Sequence, residues 1–125
     1  MAITGSCCCG GVRFELFERP LMVGVCHCSR CRKAGSSAYA YVRAEAFSWV
    51  AGRALVTRYR PRPPFAFDRC FCRRCGASLG DPFSGRIVAI AAACLDDDLG
   101  LTASFHEHRP NQPSWWEDRT PAKDK

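Results

Sequence analysis

A chain of 125 residues, 47% of them apolar, has room for one domain, and no run in it approaches the roughly 18 uninterrupted apolar residues of a transmembrane helix. Residues 1 to 11 have neither a basic start nor an apolar stretch, so no signal peptide is read and a cytoplasmic location is expected. The ten cysteines then argue against a secreted disulfide framework and for metal binding or thiol chemistry.

The formal charge of +6 is almost wholly arginine's, because Lys33, Lys123 and Lys125 are the only lysines. A planar guanidinium holds carboxylates and phosphates through paired hydrogen bonds, so an acidic ligand is favoured. Any single arginine taken alone still reads as solvated surface.

In chain order, Cys7-Cys8-Cys9 comes first, followed by the turn pair Gly10-Gly11. Val12 to Phe17 alternates apolar and charged residues, the period of a half-buried strand, and Pro20 ends it. Leu21 to Cys26 reads as a short strand and Cys28 to Ala34 as a turn or a single helical turn, broken by Gly35-Ser36-Ser37. Ala38 to Arg43, Phe47 to Val50, Ala54 to Tyr59 and Phe65 to Phe71 read as strands, separated by Gly52 and by Pro61-Arg62-Pro63-Pro64. Ile87 to Leu95 is the most apolar run and predicts a central strand, with a short buried helix as the alternative. Asp96-Asp97-Asp98 caps a loop, and Ser104 to His108 forms a last short strand. From about residue 117 the tail is expected to be flexible. Short strands with frequent Gly and Pro turns predict a mainly β domain spanning residues 1–125.

The thiols carry an internal echo: Cys26-x-Cys28-x-x-Cys31 recurs as Cys70-x-Cys72-x-x-Cys75. Two cysteines with two residues between them, set in a tight turn, can place both sulfurs about 2.3 Å from one zinc and leave half the tetrahedron for another pair. Cys72 and Cys75 form such a knuckle. With Cys7 and Cys9 they would close a four-cysteine structural zinc, leaving Cys26, Cys28 and Cys31 as an open three-thiolate site. The rival pairing joins Cys28 and Cys31 to Cys72 and Cys75, and strands Cys7, Cys9 and Cys26. Clustered thiolates favour zinc over an iron–sulfur cluster, whose ligands are spaced differently. A zinc with three protein ligands has the catalytic form and can lower a thiol's pKa or polarise a carbonyl.

The segments Gly5-Ser6-Cys7-Cys8-Cys9-Gly10-Gly11-Val12-Arg13-Phe14, Cys26-His27-Cys28-Ser29-Arg30-Cys31-Arg32 and Phe71-Cys72-Arg73-Arg74-Cys75-Gly76, with Leu95-Asp96-Asp97 and Trp115, resemble the glutathione-dependent formaldehyde-activating enzyme family, which includes centromere protein V. The resemblance covers about residues 3 to 118. It implies a β-tent fold stapled by two zincs, one on Cys7, Cys9, Cys72 and Cys75 and the other on Cys26, Cys28 and Cys31. It also implies a carbon–sulfur lyase that condenses glutathione with formaldehyde, with glutathione bound near the three-cysteine zinc. The expected partners are therefore glutathione or a related thiol and a small aldehyde. The alternative is a non-catalytic, zinc-stapled binding module for glutathione, protein or nucleic acid.

Cys8, Cys70 and Cys94 fall outside the family pattern. Cys8 and Cys94 are expected as buried small hydrophobes. Cys70 would close the second zinc if its sulfur reached it, although strand alternation aims it toward the first. His27 should point away from the metal, and His106 and His108 read as surface. Arg32 and Lys33 follow the knuckle and are the candidates for binding a glutathione carboxylate. Arg58, Arg60 and Arg62 form one basic stripe and Arg69, Arg73 and Arg74 another. With no recognition helix, nucleic acid is a weak alternative. Trp49, the pair Trp115-Trp116, Phe65 and Phe67 read as core or lid packing.

Overall fold

The structure, a computed structural model, describes residues 2–116; the tail expected from about residue 117 lies outside the described residues. Ten strands form two sheets. In the first, β2 (Arg13–Leu16) lies between β1 (Ile3–Ser6) and β5 (Phe47–Ala51). Its alternation does what period 2 requires: Phe14 and Leu16 are buried and Arg13 is exposed.

The second sheet has seven strands in the order β10-β3-β4-β9-β8-β7-β6. These are β3 (Met22–Cys26), β4 (Ala38–Arg43), β6 (Val56–Tyr59), β7 (Arg69–Cys72), β8 (Ser78–Asp81), β9 (Ile87–Ala91) and β10 (Ala103–Glu107). The pairing is antiparallel except where β10 runs parallel to β3. Between β3 and β4 sits one helix, α1 (Ser29–Ala34). The core forms where the small sheet meets the large one, with Phe14 and Leu16 from the first, Val12 just before β2, and Val42, Leu79, Val88 and Ile90 from the second. Each of these side chains contributes roughly 1.5–3 kcal/mol by leaving water.

Strands β1 and β8 lie where the sequence has no alternation to read, since Thr4-Gly5-Ser6 and Gly80-Asp81 interrupt the apolar pattern. Their strand state comes from their neighbours. The expected strand from Phe65 is corrected to one beginning at Arg69, and Phe65, expected in the core, is 48% exposed. The Ile87 run is the expected strand only as far as Ala91 and then turns through a 3-10 helix over Ala92–Cys94, of which only Cys94 is buried. At Gly24 the chain approaches closely: a Cβ there would run into the far edge of the Phe105 ring, which would have to move aside. That bare backbone lets β10 settle against β3 beside Cys26, which pairs with Glu107.

Candidate metal centres and the cavity beside one of them

Two turns bring the first sulfur group together. In the β1–β2 turn, the backbone N–H of Val12 donates to Cys7 Sγ at 3.2 Å and that of Gly11 to Cys9 Sγ at 3.4 Å. In the β7–β8 turn, Gly76 N–H donates to Cys72 O at 2.7 Å and Arg74 N–H to Cys72 Sγ at 3.4 Å. The sulfurs of Cys7 and Cys9 are 3.6 Å apart and those of Cys9 and Cys72 3.9 Å, and these three, with that of Cys75, lie within 4.8 Å of one another. Thiolates sharing one tetrahedral zinc with 2.3 Å bonds are separated by roughly 3.8 Å. The donor set therefore fits a single soft cation with every position filled. The backbone N–H of Ala77 leads in pulling the Cys75 thiol down to about 6, which favours the ligating thiolate.

The second group is built on the start of α1. Cys26 ends β3, Cys28 caps the helix by accepting from Cys31 N–H at 3.3 Å, and Cys31 lies in its first turn. Gly35 closes the helix at φ 75°, a left-handed conformation that suits glycine, with its N–H directed at Arg32 O. The three sulfurs lie within 4.8 Å of one another. Burial above all, then the neighbouring thiols Cys31 and Cys28, push Cys26 up to about 12. Three thiols held this close ionise together only if a cation joins them.

Cys31 is the buried member of the group, and it has charged company. Both terminal nitrogens of Arg69 reach its Sγ, Nη1 at 3.7 Å and Nη2 at 3.6 Å. Tyr39 Oη lies 3.4 Å from the same sulfur, but its one proton is better placed on Ser36 O at 2.7 Å, and it accepts from Arg69 Nη1 at 3.2 Å.

A cavity of about 340 Å³ opens beside this second group, lined by Cys26, Cys28 and Cys31 together with Tyr39, Tyr41, Phe65, Phe67, Arg30, Arg69, Glu107 and His108. That volume falls at the small end of ligand sites, roughly 300–1,000 Å³. Arg30 stacks 4.2 Å over the Phe65 ring and Arg69 5.0 Å over Phe67. No sulfur of the four-thiol group lines it. An open cation site with an apolar wall and a few fixed charges is suited to holding a small polar ligand by one soft atom.

The structure thus brings together Cys7, Cys9, Cys72 and Cys75, and separately Cys26, Cys28 and Cys31; the pairing of Cys28 and Cys31 with Cys72 and Cys75 does not form. Cys70 joins neither group: it is 1% exposed in the core. Cys94 is buried and donates to Ser78 O at 3.0 Å, whereas Cys8, expected to be buried, is exposed. Arg32 and Lys33 do not line the cavity; its cations are Arg30 and Arg69, and Lys33 borders an adjoining groove that shares Arg30.

His27 is 2% exposed and turned from the sulfurs, with Nε2 2.9 Å from His106 Nδ1 and its ring against the edge of Trp116, while His108, expected at the surface, helps line the cavity. Trp115 and Trp116, read as packing residues, are 70% and 42% exposed. Sequence reasoning missed Arg30, Tyr39, Tyr41, Arg69 and Glu107 as cavity residues. Only Tyr39 and Tyr41 had a local signal, being alternate residues of one strand and so on one face.

Two sulfur groups on a mainly β scaffold, one closed and one facing a cavity, define a β protein built around two candidate metal centres. The glutathione-dependent formaldehyde-activating enzyme family matches residues 2–118, and the chain belongs to that family. A Halomonas elongata protein provisionally named glutathione-dependent formaldehyde-activating enzyme is 33% identical over 127 residues, covering 94% of this chain and 81% of the relative. The crystal structure of a Rhodobacter sphaeroides protein is similar with a TM-score of 0.62 at 25% identity, over 82% of this chain and 98% of that one. The mainly β architecture is the one the resemblance implied. No helix among the described residues is long and apolar enough to cross a membrane.

Proposed function

We propose that the protein is a zinc-dependent carbon–sulfur lyase that joins a thiol such as glutathione to a small aldehyde such as formaldehyde. The observation that carries this reading is the three-thiol group opening onto a cavity that the four-thiol group does not share. Zinc is the cation assigned to both groups, because clustered thiolates at this spacing suit a soft tetrahedral ion. Bound by Cys26, Cys28 and Cys31, it supplies the acidity that turns a substrate thiol into a thiolate near neutral pH.

The chain's own residues do the rest. Arg30, held over Phe65, offers its fork to a carboxylate of the thiol, and Lys33, which borders the adjoining groove with it, extends that positive end. Glu107, exposed at the same cavity, suits the ammonium of an amino-acid thiol. Phe67, Tyr39 and Tyr41 supply the low-polarity wall. The sulfur lone pair attacks the carbonyl carbon, a C–S bond forms, and the C=O π pair moves to oxygen. The proton given up by the thiol ends on that oxygen, so the hemithioacetal forms with no redox change. Cytoplasm, where thiols stay reduced, is the compartment this reading requires.

The test is metal analysis joined to exchange NMR of labelled formaldehyde with glutathione. The expected result is two zincs per chain and hemithioacetal formation faster than the spontaneous reaction, with Cys31→Ser holding one zinc and giving no acceleration. A wild-type rate equal to the spontaneous one overturns the reading.

A further inference from the structure

We infer that Arg69 is a positioning residue whose charge fits the three-thiol centre to accept an anionic sulfur as its fourth ligand; the inference rests on the thiol-binding reading above. The two sulfur groups differ in what donates to them. Apart from one another's thiols, Cys7, Cys9 and Cys72 receive backbone N–H groups, from Val12, Gly11 and Arg74. Cys28 likewise receives the Cys31 N–H. Among the described residues, Cys31 alone has a full positive charge on its sulfur, with Arg69 Nη1 and Nη2 at 3.7 and 3.6 Å.

The cation sits where a charge has yet to arrive. A divalent ion with three thiolates carries one net negative charge, and a substrate thiolate adds another. In a half-buried site that second charge is poorly screened by solvent. A guanidinium never deprotonates in this setting, so Arg69 keeps the loaded centre at one net negative charge rather than two. It is also held in place: Nη1 donates to Tyr39 Oη at 3.2 Å, the guanidinium stacks 5.0 Å over Phe67, and Tyr39 is itself anchored on Ser36 O at 2.7 Å. Among the described residues no carboxylate pairs with Arg69, so its charge is not spent elsewhere. Among the described residues no cationic side chain is in hydrogen-bond contact with a sulfur of the four-thiol group.

The rival role for Arg69, a clamp on a substrate carboxylate, is separated by using a thiol that has none. Wild type, Arg69→Gln and Arg69→Lys are loaded with excess cobalt(II), and the thiolate-to-cobalt absorption is followed during titration with 2-mercaptoethanol and, separately, with the neutral ligand imidazole. Arg69→Gln is expected to keep its cobalt, to bind imidazole as wild type does, and to lose about 10–100-fold in affinity for 2-mercaptoethanol. Arg69→Lys, which keeps the charge, should recover part of that loss. Unchanged thiol affinity in Arg69→Gln, equal weakening of both ligands, or loss of cobalt at excess metal each overturns the inference while leaving the thiol-binding reading standing. Failure of wild-type cobalt protein to bind any thiol overturns both.

Discussion

Cys70 and Cys72 share the buried face of strand β7, two residues apart, yet only Cys72 reaches a sulfur group. A register shift against β8 falls between Cys70 and Phe71, re-aiming the strand as it enters the knuckle. Cys70 stays in the core, where burial first and then the Asp81 charge push its thiol up to about 12. Cys70 therefore supplies no fourth thiol to the group of Cys26, Cys28 and Cys31.

Replacing Cys70 with Ala should leave both metals bound and thiol binding unchanged, at a stability cost of about 1 kcal/mol for a small buried side chain. Metal analysis alongside a denaturant melt checks this. Loss of one metal would place Cys70 in the coordination after all.

Cys72→Ser should behave quite differently. On the proposed zinc assignment it removes a fully buried ligand from the closed group, where a structural zinc would supply folding free energy on the order of 10 kcal/mol. The expected outcome is a chain without a cooperative thermal transition. Cys28→Ser, at the open group, should lose one metal and keep a cooperative melt.

Chelation should occur in two steps. Three ligands facing a cavity hold a cation less firmly than four that enclose it, so a strong chelator is expected to take the first metal without altering the strand signal in circular dichroism. Removal of the second should coincide with unfolding. A single step that takes both metals with the fold would count against the division into open and closed centres.

Arg30→Ala should raise KM for glutathione about tenfold while changing kcat little, because a remote carboxylate contact stabilises ground and transition states alike. Arg32→Ala, outside the cavity lining, should change neither. Steady-state kinetics on the two variants distinguishes the neighbouring arginines.

His27 gives a pH prediction with a definite sign. Burial foremost, then the charges of His106 and Arg109, hold its pKa below the ordinary 6.5. As pH falls below 6.5 the unfolded chain takes up this proton before the folded one does, so His27 lowers stability on the acid side of that value. Its buried Nδ1 has no hydrogen-bond partner among the described residues, so His27→Phe removes both the proton site and that orphan. The variant should lose less stability than wild type between neutral and mildly acidic pH, read from melts across that range.

The cysteines that cluster were legible because coordination chemistry draws on few residue types and the knuckle is local: Cys72 and Cys75 lie in one turn, as do Cys28 and Cys31. Arg13–Leu16, where apolar and charged residues alternate, was legible for a similar reason, since period 2 needs only near neighbours. Ile3–Ser6 and Ser78–Asp81 were not, because their strand state depends on pairing with β2 and with β7 and β9.

By itself the sequence determined a mainly β domain, the family, and the cysteines that meet. Tertiary structure decided what surrounds them. Arg69 comes from β7, Tyr39 and Tyr41 from β4, and Glu107 from β10, strands separated in sequence and joined to one cavity only by the order in which the large sheet pairs. The face that α1 turns to the cavity carries Arg30 and leaves Arg32 and Lys33 outside it, and Cys70 stays in the core. Spacing along a chain can specify which thiols share an ion, because the ion itself enforces the geometry. A cavity wall has no such local rule, and its residues are known only once distant strands have packed.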